Sequence, residues 1–225
     1  MANSSIFNII TPIMVGPSSS HTAGAIRIGL LAGKIFGSNS PKKVHFKLYN
    51  SFAQTGKGHG TDKGLLSGVM GFGVDDIRIK NALEIAKNKD IEYSFEYAED
   101  FNRHPNSVDI FFYGDTEIKV SGNSLGGAEV VITNINNYQV NLKGDYHTLL
   151  LIYKDMPGMI YKVTTLIQDF DINIASMTCD REAKGHNASM SICLDSPLSA
   201  EIINSLKKIN EIYLIRNIEI TKWKQ

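Results

Sequence analysis

Residues 147–170 read HTLLLIYKDMPGMIYKVTTLIQDF, and the hydrophobic period changes inside this stretch. Residues 147–153 are a short apolar run, which reads as a buried strand. Pro157 and Gly158 interrupt it. Over 159–170 the apolar positions are Ile160, Val163, Leu166, Ile167 and Phe170, a helical spacing, with Pro157 suited to the first turn. Residues 172–180 then alternate through Ile172 and Ile174. The turn Lys184-Gly185-His186-Asn187 leads to a returning strand over 188–194, so the pair is a hairpin. After Pro197, a second helix begins at Ser199 and runs to Lys208, with Ile202, Ile203, Leu206 and Ile209 on its apolar side. Residues 211–219 supply a last strand. The predicted order is β-α-β-β-α-β.

That order is the ferredoxin-like pattern, here over residues 147–222. The remainder, residues 1–141, is less regular, and 141–146 reads as a short polar linker. A helix over 22–36 contains several small residues, as expected where it packs closely against a neighbour. Residues 44–52 alternate as a half-buried strand and are followed by a glycine-rich turn, Thr55-Gly56-Lys57-Gly58-His59-Gly60. Short helices come next, from Thr61 and near 76–87, then a strand over 91–97. Strands over 108–113 and 117–120 flank Gly114-Asp115, a hairpin signal. A second glycine-rich turn over 122–127 leads to a strand near 130–133. The fold class is therefore α+β in two domains.

Composition narrows the function. The chain has 225 residues, 43% hydrophobic and 20% charged, enough apolar surface for packed cores. Lys+Arg and Asp+Glu are 23 each, so the basic footprint of a nucleic-acid binder is absent. No run approaches the roughly 18 apolar residues of a membrane span. The apolar stretch 6–15 has no basic residues before it and no small-residue cleavage site after it, so it is not read as a signal peptide. Two cysteines, Cys179 and Cys193, do not suggest a secreted disulfide framework. They read as small buried hydrophobes on neighbouring strands. The expectation is a soluble, cytoplasmic protein.

Two stretches carry chemistry. The first is Gly16-Pro17-Ser18-Ser19-Ser20-His21-Thr22-Ala23-Gly24. Four hydroxyl residues around one histidine before a helix offer donors and a positive helix end, suited to a carboxylate or phosphate. Ser20 or Thr22 acting only as a helix N-cap is the simpler alternative. The second stretch is Thr55 to Asp62, TGKGHGTD. Glycines let a ligand approach the backbone, Lys57 brings charge, and His59 exchanges protons near neutral pH. It is not a Walker A loop, because Lys57 is followed by Gly58 and the upstream glycine is replaced by Ser51. A solvated strand-to-helix turn remains the alternative. No HExxH or CxxC pattern supports a zinc site in this chain. The loop Asp155-Met156-Pro157-Gly158-Met159 combines an acidic residue with helix-start amides, although helix initiation alone accounts for it.

GPSSSHTAGAIRIG and GKGHGTD, in that order, resemble the beta chain of iron-sulfur-dependent L-serine dehydratase, two-chain type. The βαββαβ unit with DMPGMI resembles an ACT domain, a regulatory module often sensitive to amino acids. The resemblance implies conversion of L-serine to pyruvate and ammonia with a 4Fe-4S cluster held by a partner alpha chain. The cysteine count agrees, since such clusters use about three or four thiolates and this chain has two. Elimination must remove a weakly acidic α-proton and expel the β-hydroxyl; a Lewis-acidic iron and a positioned base serve these needs. By resemblance, His59 is the candidate proton-transfer residue, with Lys57 and His21 beside it. Ser18, Ser19, Ser20 and Thr22 would hold the substrate or organise the interface. The 155–159 loop would take an allosteric amino acid, L-serine most economically, in an ACT domain that self-associates. The alternative is a non-catalytic regulatory subunit, because the first domain also resembles an allosteric substrate-binding domain of some phosphoglycerate dehydrogenases.

Overall fold

The computed structural model describes residues 14–37 and 41–220. The apolar stretch 6–15 lies, up to residue 13, outside them. The chain divides into two units between Asn136 and Asn137.

In the first unit the described order is α1 (Gly24–Phe36), β1 (Lys43–Tyr49), α2 (Ser51–His59), α3 (Thr61–Val69), α4 (Ala82–Asn88), β2 (Glu92–Ala98), β3 (Ser107–Tyr113), β4 (Ile118–Gly126) and β5 (Glu129–Ile135). The strands are arranged β2-β1-β3-β4-β5. β1 pairs parallel with β2 across the helical crossover and antiparallel with β3. Alternation in β1 sends Val44, Phe46 and Leu48 into the core, all fully buried. α1 packs against β4 and β5 on one side and α3 on the other. It is therefore apolar nearly all round.

Glycine permits the approach of α1 and α3. A β-carbon at Gly68 would strike the Ile26 carbonyl and the Leu30 amide, and one at Gly29 would strike the Leu65 carbonyl. The two helices thus touch backbone to backbone. This contact sets the N-terminus of α1 beside the start of α3.

Three local expectations change. Residues 55–59 are the end of helix α2 rather than a turn; only Gly60, at φ 67°, turns the chain. Glycine costs a helix about 1 kcal/mol relative to alanine, but Gly56 packs here against Leu48 and Thr61. Residues 122–126 continue β4, and the turn is confined to Gly126, Gly127 and Ala128, all at positive φ. The polar stretch 141–146 comes after a strand, β6 (Tyr138–Leu142), whose Tyr138, Val140 and Leu142 are buried.

The second unit continues from β6 with β7 (His147–Lys154), α5 (Met159–Gln168), β8 (Ile174–Arg181), β9 (Asn187–Leu194), α6 (Ala200–Lys207) and β10 (Ile212–Ile218). The last six elements form the ferredoxin-like module, with strand order β10-β7-β9-β8. Leu149 and Leu151 of β7 and Met190 and Ile192 of β9 meet Val163 and Ile167 of α5 and Ile202 and Leu206 of α6 in one core. β6 lies against β8 and β9. Pro157 precedes the helix cap, Gly158 at φ 87°, rather than occupying the first turn. Cys179 and Cys193 are on neighbouring strands, as expected, but they are not buried hydrophobes. Cys179 is exposed and Cys193 half-buried, both as free thiols, because β8 is an edge strand with little covering it.

Candidate active site

The first motif does not run straight into an α-helix. Residues Ser19–Ala23 make a π-helical turn ahead of α1, a form frequent at functional sites. Ser18 caps it: its Oγ accepts the His21 backbone N–H at 3.1 Å. The capping role therefore belongs to Ser18, not to Ser20 or Thr22. Ser124 of β4, fully buried, donates from Oγ to the Ser20 carbonyl at 2.9 Å. Thr22, 3% exposed, donates from Oγ1 to the His59 carbonyl at 2.8 Å. Thr22 is thus a brace between the two motifs, its hydroxyl already engaged.

These braces put the two histidines together. The rings of His21 and His59 have centroids 5.2 Å apart, tilted by 41°, and Phe52 packs 5.4 Å from His21. His21 is held at both nitrogens: Nδ1 is 3.0 Å from Ser20 Oγ and Nε2 is 3.0 Å from Ser51 Oγ. Burial pulls the His21 pKa below its usual 6.5, neighbouring His59 lowers it further, and contact with Ser51 opposes the shift. His21 is consequently neutral at pH 7. His59 ends α2, half-buried, with Nδ1 closed from solvent and without a hydrogen-bond partner among the described residues. Thr61 Oγ1, across Gly60, is likewise buried and unpartnered.

The end of α2 is open. A β-carbon at Gly58 or Gly60 would meet nothing within 4 Å. Lys57 is exposed, its Nζ 5.5 Å from the centroid of the Tyr97 ring. Burial, with nearby Asp62, raises the Tyr97 pKa. Ser18, Ser19 and Ser20 are half-buried beside His21. Ser51, Asn50 and Ser124 escape a motif-based reading because no cluster surrounds them in the sequence. The positive φ of Asn50, at a strand end, is the kind of position where asparagine is enriched.

The 155–159 loop is separately built. Asp155 Oδ2 accepts the Gly185 N–H at 3.1 Å and lies 3.5 Å from Arg181. Its carboxylate thus ties the β8–β9 turn to the end of β7. Met159 is buried in the core and Met156 packs against it. Pro157 and Gly158 are exposed.

The fold and site define an α+β chain that joins a histidine–hydroxyl site on one unit to a ferredoxin-like module. The family model described as serine dehydratase beta chain matches residues 5–133, and the chain belongs to that family. It is 37% identical over 219 residues to a probable L-serine dehydratase beta chain of Bacillus subtilis, covering 97% of each chain. It is 38% identical over 224 residues to the L-serine dehydratase beta chain of Peptoniphilus asaccharolyticus, covering 98% of this chain and all of that one. A shorter likeness, 31% over 93 residues, joins 41% of this chain to 17% of a D-3-phosphoglycerate dehydrogenase of Synechocystis.

The family resemblance brings in a 4Fe-4S cluster, and the residues of this chain do not fit one. The chain has two cysteines. In register they oppose Met190 and Ser176, not each other. Both lie in the second unit, whereas His21 and His59 lie in the first.

Proposed function

We propose that this chain is the beta subunit of an L-serine dehydratase and acts only with an alpha chain that holds the 4Fe-4S cluster. The assembly converts L-serine to pyruvate and ammonia in the cytoplasm. The full-length likeness to two beta chains and the shortage of thiolates support this reading. The observation that carries a catalytic role is the convergence of His21 and His59, joined through Thr22.

His59 has the chemistry for proton transfer to or from the substrate. Its Nδ1 faces inward, which leaves Nε2 as the nitrogen to exchange the proton. A neutral ring acts as a base at pH 7. The neighbouring imidazole of His21 favours that neutral form, since two imidazolium rings in contact repel. Lys57 and the hydroxyls of Ser18, Ser19 and Ser20 would receive the substrate carboxylate at the open end of α2. Thr22 holds the two motifs in place.

In the second unit, L-serine as an effector would meet the exposed backbone at Pro157 and Gly158, with Asp155 near its ammonium. Self-association through this module supports such a role, because the edge strand β8 leaves a row of backbone groups open to pairing.

The test is reconstitution of the alpha–beta complex. His59→Ala should lower turnover by a factor on the order of 10² or more at saturating serine. Normal maximal turnover with altered activation alone would instead make the chain a regulatory subunit. The pure chain, reconstituted anaerobically with iron and sulfide, should remain colourless and inactive; a stable brown, active protein would overturn the two-chain reading.

A further inference from the structure

Asn50 sits between β1 and α2 with φ 51° and ψ −120°, a conformation strained for a residue bearing a β-carbon. Its side chain is clamped. Nδ2 donates to the Asp100 carbonyl at 2.8 Å and to the Arg103 carbonyl at 3.4 Å, while Oδ1 accepts the Asp100 N–H at 2.9 Å. The segment it grips is anchored again from β3. Arg103 makes a two-pronged contact with Asp109, at 3.1 and 2.8 Å, and stacks 4.0 Å from the Tyr49 ring centroid. Asp109 is 2% exposed. A strained turn held so firmly points to a geometric demand on the next residue.

The next residue is Ser51, with its Oγ 3.0 Å from His21 Nε2. Ser20 Oγ stands 3.0 Å from Nδ1. A neutral imidazole has one N–H and one lone pair, so one serine donates and the other accepts; an imidazolium donates to both. The hydroxyls at opposite ends of the ring therefore oppose its rotation and couple its tautomer to their own protons.

We propose that Ser51 is a positioning residue that locks the ring orientation and tautomer of His21, and that the clamped turn at Asn50 aims it. The inference deepens the proposed function and rests on His21 belonging to the working site. The elements packed against the His21 turn are α1, α2, α3 and β4. His59 is the titratable ring in contact with it; Lys57, Asp62 and Lys63 are carried on α2 and α3, and Arg27 and Lys34 on α1, while β4 carries Lys119.

The test combines nitrogen-15 NMR of histidine-labelled full chain with kinetics of the reconstituted complex. Ser51→Ala should shift the His21 Nδ1 and Nε2 resonances and lower its titration midpoint, because the imidazolium loses an acceptor. Ser51→Thr should restore both. In the complex, kcat should fall about tenfold, the rate equivalent of one hydrogen bond, and the pH profile should move with the NMR midpoint. Ser51→Cys, close in volume but a weaker partner, gives the same readout if the alanine variant folds poorly. Unchanged His21 resonances and midpoint in folded variants would overturn the inference, whatever happens to the rate. Full turnover by a His21→Ala complex would remove the catalytic reading of His21, while a shifted resonance in Ser51→Ala would still establish the positioning contact.

Discussion

Thr22 Oγ1 donates to the His59 carbonyl at 2.8 Å, across 37 positions of sequence. The bond joins the start of α1 to the end of α2, and both partners are turned away from water. Its effect is to hold the His59 backbone from the side opposite the open face at Gly58.

Thr22→Val keeps the shape of the side chain and removes the donor. The His59 carbonyl then loses its partner in a site that is 3% exposed at Thr22. A stability loss of about 1–3 kcal/mol is expected from leaving a buried acceptor unpaired. Urea unfolding of the full chain measures it, and turnover in the complex should fall alongside. Unchanged stability and rate would show that Thr22 is not a brace.

Two glycines, one on α3 and one on α2, should respond in opposite ways. Gly68→Ala forces its β-carbon onto the Ile26 carbonyl and the Leu30 amide. Backbone cannot yield as a side chain does, so a loss of about 1–3 kcal/mol or more is expected. Gly58→Ala enters open space within helix α2. It should be neutral or stabilise by about 0.4–1 kcal/mol. Thermal unfolding of both variants distinguishes these outcomes; a destabilised Gly58→Ala would count against the open end of α2.

Asp109 places a pH-sensitive contribution in the first unit. Burial alone would raise its pKa, but hydrogen bonds from Arg103, Ser121 and Lys119 outweigh it and the pKa is lowered. A carboxyl more acidic in the folded chain than its ordinary 3.8 stabilises the fold above that value. The contribution disappears as pH falls through the lowered folded value. Asp109→Asn should cost toward the lower end of about 3–5 kcal/mol, since Arg103 and Lys119 keep partial contact with water. Stability measured against pH should show a shallower acid limb in the variant. An unchanged limb would assign the acid sensitivity elsewhere.

The 155–159 loop gives the test of effector binding. Gly158 has φ 87°, so Gly158→Val strains the cap of α5. Asp155→Ala removes the acceptor for Gly185 and the contact with Arg181. Both should weaken activation by serine in the complex while leaving the maximal rate nearly unchanged. Calorimetry of the full chain with L-serine supplies the direct measurement. Heat of the same size from wild type and both variants would take the effector away from this loop.

The sequence by itself determined the second unit, because its core is made by period. Residues such as Val163 and Ile167, or Leu149 and Leu151, mark buried faces through spacing alone, and short turns leave few ways to join them. It also determined that His21 and His59 belong to motifs rich in hydroxyls and glycine, and that two cysteines cannot supply a cluster. Tertiary structure alone decided that TGKGH is helix, since the packing of Gly56 against Leu48 outweighs glycine's weak propensity. It decided that Thr22 braces the site and that Asp155 ties a hairpin turn. It brought Ser51 to His21 through the backbone approach at Gly68 and the strained conformation of Asn50. Local periodicity records which face of an element is buried. A hydrogen bond spanning 30 positions, as between His21 and Ser51, depends on how elements cross, and that distance leaves no period in the chain.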